Sequence, residues 1–115
     1  MINKVILLGN VGAEPEIRAM EGGAKVARLR VATTDKWTDG NGQKQEKTEW
    51  HSVMLWRGLA DVAERYIHKG SQIYIEGKIR YREFEQNGEK KYYTEIQADE
   101  LKLCGRAQDA NQPPV

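Results

Sequence analysis

The chain of 115 residues has one cysteine, Cys104, two histidines and almost no net charge. A single thiol cannot close an internal disulfide or build a multi-cysteine metal site. A cytoplasmic location is the expectation that goes with it. His51 and His68 have no metal-ligand partner at a helical or CxxC-like spacing, so no metal is expected. Nothing beside Cys104 marks an activated thiol, and no pair of carboxylates stands in an apolar setting that would tune one as an acid. Asn10-Val11-Gly12 is too short for a phosphate-cradling loop. Catalysis and cofactors are therefore not expected. Long apolar runs are missing too. The longest strongly apolar run, Val5 to Leu8, can neither span a membrane nor serve as the apolar region of a signal peptide. The formal net charge of +1 counts against a simple basic nucleic-acid binder. An electrostatic argument must rest on where the charges stand.

What is present is the pattern of a small all-β domain. The length suits one domain, placed at residues 1–105, with 106–115 expected as a short disordered end because it carries Pro113-Pro114 and little apolar material. Glycines punctuate short β-type segments. The first runs from about Asn3 to Leu8 and is apolar on both parities, which suggests cover on both faces. In the second, Lys25 to Thr34, Ala27, Leu29 and Val31 alternate with Arg28 and Arg30. Asp35 to Lys47, with Asp39-Gly40 and Asn41-Gly42, reads as a long hairpin connection. The third strand, Thr48 to Trp56, puts His51, Val53 and Leu55 on one parity and Trp50, Ser52, Met54 and Trp56 on the other. Leu59, Val62, Ala63 and Tyr66 make the apolar stripe of a helix over Gly58 to His68, with Gly70 placed to stop it. The fourth strand, Ser71 to Glu85, turns at Asn87-Gly88 into a fifth, Lys90 to Leu103. In the fifth, the apolar parity switches between Ala98 and Leu101, which suggests a bulge. Three strands, a helix and two strands is the order of an OB fold, a five-stranded Greek-key barrel with its helix between strands three and four, although other small α+β folds can be built from the same elements.

The polar parities of the third and fourth strands carry a surplus of large side chains: Trp50 and Trp56 on one, and Phe84 with Lys78, Arg80 and Arg82 on the other. Trp37 stands beside Lys36 at the head of the long connection. If Val53, Leu55, Ile73, Ile75 and Ile79 fill the core, this second set faces outward together with Arg28 and Arg30. Aromatic rings stack on unpaired bases and cations meet phosphates, whereas a duplex hides its base faces. The competing reading buries Trp50 and Trp56 in a core covered on both sides and leaves the arginines as solvated strand faces paired with glutamates. Parity alone leaves both open. Tyr74 reads as a packing residue, and Met20 and Met54 are left out of the site.

Three segments narrow the choice: Asn3-Lys4-Val5-Ile6-Leu7-Leu8-Gly9-Asn10, Thr48-Glu49-Trp50-His51, and Lys69-Gly70-Ser71-Gln72-Ile73-Tyr74-Ile75-Glu76-Gly77. Together with Leu59-Ala60-Asp61-Val62-Ala63 and Tyr66, and in this order and spacing, they make the chain resemble the bacterial single-stranded-DNA-binding proteins over about residues 1 to 105. The resemblance implies an OB fold, sequence-tolerant binding and protection of single-stranded DNA in replication, repair and recombination, and a cytoplasmic, nucleoid-associated location. It also implies a homotetramer, with a dimer as the alternative. Trp37, Trp50, Trp56 and Phe84 fall at its stacking positions, with Arg80 and Arg82 at basic positions of its DNA surface. His51 matches an interface histidine, and Lys4 and Ile6 are expected at the same subunit interface. Phe84 stands where many relatives have tryptophan, and Ser52 where a basic residue is common. Relatives carry a long tail whose acidic, hydrophobic tip recruits replication and repair proteins. Replication and repair proteins are kept as possible partners, although the sequence as given ends at Gln112-Pro113-Pro114-Val115 without the usual acidic tip. Two rival readings stay in view: a dimeric OB protein of replication restart, and an RNA-binding OB module of the translation type.

Overall fold

The computed structural model describes residues 1–106. The elements are β1 (Val5–Val11), β2 (Glu16–Ala19), a turn of 3-10 helix at Glu21–Gly23, β3 (Lys25–Thr38), β4 (Lys44–Trp56), α1 (Gly58–Tyr66), β5 (Ser71–Gln86) and β6 (Glu89–Arg106). Hydrogen bonds order the strands β1-β5-β6-β4-β3-β2, and β1 returns to β3 through Asn10↔Ala32 and Val11↔Val31. That return closes β1, β3, β4, β6 and β5 into a five-stranded barrel. Its neighbours are antiparallel except β4 and β6, which run parallel at Val53↔Ile96 and Met54↔Gln97. This is the OB arrangement expected from the strand order. The end expected to be disordered lies, from residue 107 on, outside the described residues.

Alternation explains why the barrel holds. Leu29, Val31, Val53, Leu55, Ile73 and Ile75 point inward from four-residue and longer runs of period two, and all are fully buried. Burying side chains of this size contributes roughly 1.5–3 kcal/mol each. Val11 and Ile67 complete the core. α1 caps one end through Ala60 and Ala63, and Lys25 of β3 holds it from outside by donating to Glu64 at 2.9 Å. Tyr66, expected on the apolar stripe, is exposed instead. The helix stops at Tyr66, and Ile67, whose N–H reaches the Ala63 carbonyl at 3.1 Å, fills that place in the core. The parity switch foreseen in the last strand is a bulge. Glu76 pairs with Glu100 and Gly77 with Ala98, leaving Asp99 as the extra residue. At Gly77 the strands come so close that a Cβ would overlap the Gln97 carbonyl.

Two departures from the expected elements matter for function. The segment Asp35 to Lys47 is not a loop. β3 and β4 stay paired from Asp35↔Lys47 out to Thr38↔Lys44, and only residues 39–43 turn. β2 was not foreseen either; it pairs with β3 from Glu16↔Arg28 to Ala19↔Lys25. The β3–β4 arm is nearly all polar, so hydrophobic alternation, the main sequence signal for a strand, is missing there. β2 does alternate, with Ile17 packed against the core, but at four residues it is the shortest run in which a period can show. The backbone ladder is what extends the arm, and β2 adds the packing of Ile17 to its ladder with β3. A second arm, β5–β6 beyond Ile79, ends in the two-residue turn Asn87-Gly88. Both residues have positive φ, 56° and 80°, as a type I′ turn needs. Ile79, expected in the core, is half-buried at the barrel rim, where the Asn3 side chain brackets its backbone with two hydrogen bonds of 2.9 Å.

Asp39 shapes the tip of the first arm. Its carboxylate accepts from the backbone N–H of Asn41 and Gln43 and from the Gln45 side chain, at 2.9 to 3.1 Å. The Gln43 and Gln45 bonds chiefly hold it charged, below its ordinary pKa of 3.8. A depressed folded pKa means that this support is complete above pH 3.8 and is lost as the pH falls through the folded value. Asp39→Ala is therefore expected to speed amide exchange at Asn41 and Gln43 at neutral pH, and acidification to do the same in the parent protein. Exchange rates followed against pH check both.

Candidate nucleic-acid interface

Residues directly opposite in an antiparallel ladder share a face. On the outer face of β3–β4 the pairs are Arg28↔Met54, Arg30↔Ser52 and Ala32↔Trp50, with Trp56 next along β4. On the outer face of β5–β6 they are Lys78↔Gln97, Arg80↔Glu95 and Arg82↔Tyr93, with Phe84 next along β5. The parallel pairing Met54↔Gln97 joins the two hairpins edge to edge. One continuous surface results, and it carries Arg28, Arg30, Trp50, Trp56, Lys78, Arg80, Arg82 and Phe84.

Trp50 is 54% exposed and Trp56 43%, so neither is a core residue. Trp50 is held from two sides. The Arg30 guanidinium lies 5.6 Å from its ring centre, and Gly12 abuts the ring so closely that a Cβ there would overlap it. Phe84 stacks on Tyr93 with centroids 4.9 Å apart and planes 12° from parallel. Arg28 reaches over the same Tyr93 ring at 6.0 Å, and its Nε donates to Ser52 Oγ at 3.1 Å. Ser52 thus steadies a cation of the face. Arg80 Nε donates to Gln97 Oε1 at 3.1 Å, and Arg82 Nη2 sits 2.8 Å from Glu95 Oε1. Between the hairpins runs a groove of about 350 Å³, lined among others by Trp56, Met54, Arg28, Arg80 and Glu95.

Trp37 does not join this face. It is 49% exposed on the first arm, opposite Gln45, and strand alternation sets it on the other side of that arm from Lys36, which continues the Arg28–Arg30 row. His51 is half-buried on the inner parity and shares a 2.8 Å hydrogen bond with Thr33 Oγ1. Lys4 and Ile6 lie elsewhere, on the β1–β5 flank of the barrel. There Ile6 faces Glu76 across the ladder, Lys4 Nζ is 3.9 Å from the Glu76 carboxylate, and Tyr74 donates to that same carboxylate. Tyr74 is half-buried through this bond, which also holds its phenol above the ordinary value.

Sequence reasoning missed Tyr93, Glu95, Gln97 and Met54 on the face. Tyr93 was legible: the same count of large side chains on the outer parity that singled out Trp50 and Phe84 applies to the last strand. Met54 and Glu95 had no such signal, because what matters in them is their position between the hairpins.

The family model described as "Single-strand binding protein family" matches residues 2–104. The chain belongs to that family. Two relatives from Xylella fastidiosa, both named as single-stranded DNA-binding proteins, are each 47% identical to it. One alignment, to strain 9a5c, covers 96% of this chain and 83% of that protein. The other, to strain Temecula1, covers 94% of this chain and 66% of that protein. Among solved structures, a Plasmodium falciparum SSB in complex with ssDNA superposes with a TM-score of 0.82 at 32% identity, over 90% of this chain and 95% of that one. A deletion mutant of the single-stranded DNA binding protein from Thermus aquaticus gives 0.77 at 33% identity, over 89% of this chain and 50% of that one.

Within this family member, Gly12 is a direct test of how Trp50 is seated. Gly12→Ala is expected to push the ring off its position and to cost about 1–3 kcal/mol of stability, as overpacking does. Trp50 emission, measured with Trp37 and Trp56 changed to Phe, should shift, and chemical denaturation gives the cost.

Proposed function

We propose that this protein binds single-stranded DNA with little regard to base sequence, shielding it during replication, repair and recombination. The observation that carries the reading is one uninterrupted face on which exposed Trp50 and Trp56 and the Phe84–Tyr93 stack stand among Arg28, Arg30, Arg80 and Arg82. Each ring offers a base a stacking partner worth roughly 1–3 kcal/mol, and the arginines meet the phosphates between. Lys36 and Lys78 extend the positive row, and Trp37 takes a base where the strand passes around the first arm. The work is done at the nucleoid, in the cytoplasm. Family membership and the ssDNA complex of the Plasmodium relative support the same ligand.

Binding is expected to quench tryptophan fluorescence with oligo-dT and not with duplex. The salt dependence should have a slope of about −0.7 per phosphate neutralised. A matched oligo-rU that competes as well as oligo-dT would point to the RNA-binding alternative. If oligo-dT, oligo-rU and duplex all fail to quench, the reading is overturned.

The protein works as a homotetramer in this reading. Among the described residues, 5–8 of β1 pair only with β5, so the other edge of that stretch offers a ladder to a second copy. Beside it Ile6, Leu8 and Leu103 are exposed apolar side chains on one flank, next to Tyr74 and Lys4. Covering them twice, by strand pairing and by stacking of sheets, gives four copies. His51 supports the assembly from the neighbouring strands. Native mass spectrometry should show four chains at micromolar concentration. A lone 13.1 kDa species would refute the assembly, and two chains would favour the dimeric alternative.

A further inference from the structure

On a surface suited to a polyanion, one carboxylate occupies the middle. Glu95 points outward from β6, directly across the ladder from Arg80, yet it is only 8% exposed. Arg82 pairs with it: Nη2 stands 2.8 Å from Oε1, and that buried oxygen makes no hydrogen bond among the described residues. Arg82 itself stays 61% exposed. The other fixed arginines of the face are steadied by neutral groups, Arg80 by the Gln97 amide and Arg28 by the Ser52 hydroxyl. An amide or hydroxyl would serve equally to hold Arg82. A buried charge is costly, and here it makes no hydrogen bond to Arg82. Its distinctive effect is electrostatic.

We propose that Glu95 limits how tightly the face holds single-stranded DNA, by neutralising Arg82 at short range before a phosphate arrives. This rests on the DNA-binding role assigned to the face. A phosphate reaching Arg82 finds a cation already facing an anion. The attraction is smaller, fewer condensed counterions are released, and the strand leaves more readily.

The test compares Glu95→Gln with the parent in oligo-dT titrations across salt. Glutamine keeps the shape and removes the charge. Binding should tighten about two- to fivefold at low salt, with a salt slope steeper by up to about 0.7, and the difference should fade as salt rises. In an Arg82→Gln background the same change should have little effect. Weaker binding by Glu95→Gln would make Glu95 an anchor for Arg82 and overturn the proposal. An unchanged slope, or an equal effect with and without Arg82, would overturn it too. A parent protein that does not bind oligo-dT would instead remove the DNA-binding reading itself. Thermal unfolding checks that the variants are folded, and Glu95→Met supplies an uncharged side chain of similar size if glutamine is not tolerated.

Discussion

Two consecutive residue pairs hold the functional surface together. Val53↔Ile96 and Met54↔Gln97 are the parallel contact between β4 and β6, where two long antiparallel hairpins meet. Val53 and Ile96 point inward and join the core, so this junction is fixed by apolar packing. Met54 and Gln97, one residue on, point outward by alternation and put the rows of Arg28 and Arg30 and of Arg80 and Arg82 on either side of one groove. Were the junction slipped by one residue, every outward side chain of one hairpin would turn to the core.

Charge distribution follows from the same geometry. Eighteen basic and seventeen acidic side chains nearly cancel, yet the face collects arginines because they occupy the outward parity of β3 and β5. Many carboxylates are spent elsewhere: Glu64 on Lys25 at the helix, Asp39 on the turn of the first arm, Glu76 on Tyr74 and Lys4 at the opposite flank. The field that a nucleic acid meets is local, and the net charge says little about it. Glu95 stands inside the face itself, and Glu16, across the ladder from Arg28, borders its groove.

The barrel strands were readable because their inner positions alternate with charge: Ala27, Leu29 and Val31 against Arg28 and Arg30 leave one solution. The Asn87-Gly88 turn and the Asp99 bulge were readable for equally local reasons, a dipeptide that tolerates positive φ and a switch of apolar parity. Where a strand leaves the barrel the rule fails. Tyr81 continues the inner parity of Ile73 and Ile75, yet it is exposed, because past Ile79 there is no interior for that parity to face. The same cause hid the outer half of β3–β4, whose side chains are almost all polar. β2 was hidden by its length, since four residues barely show a period although Ile17 packs against the core.

The amino-acid sequence by itself determined the strand order of the barrel, the parity that Trp50 and Trp56 share on one strand and Arg80 and Arg82 on another, and the family, since each depends on period-two patterning or on segments in fixed order. Tertiary structure alone decided which outward residues meet. It joined Phe84 to Tyr93, seated Trp50 between Gly12 and Arg30, and placed Trp37 across the arm from Lys36. It also buried Glu95 beneath Arg82. Those relations run between residues up to dozens of positions apart, and closure of the barrel is what sets them side by side.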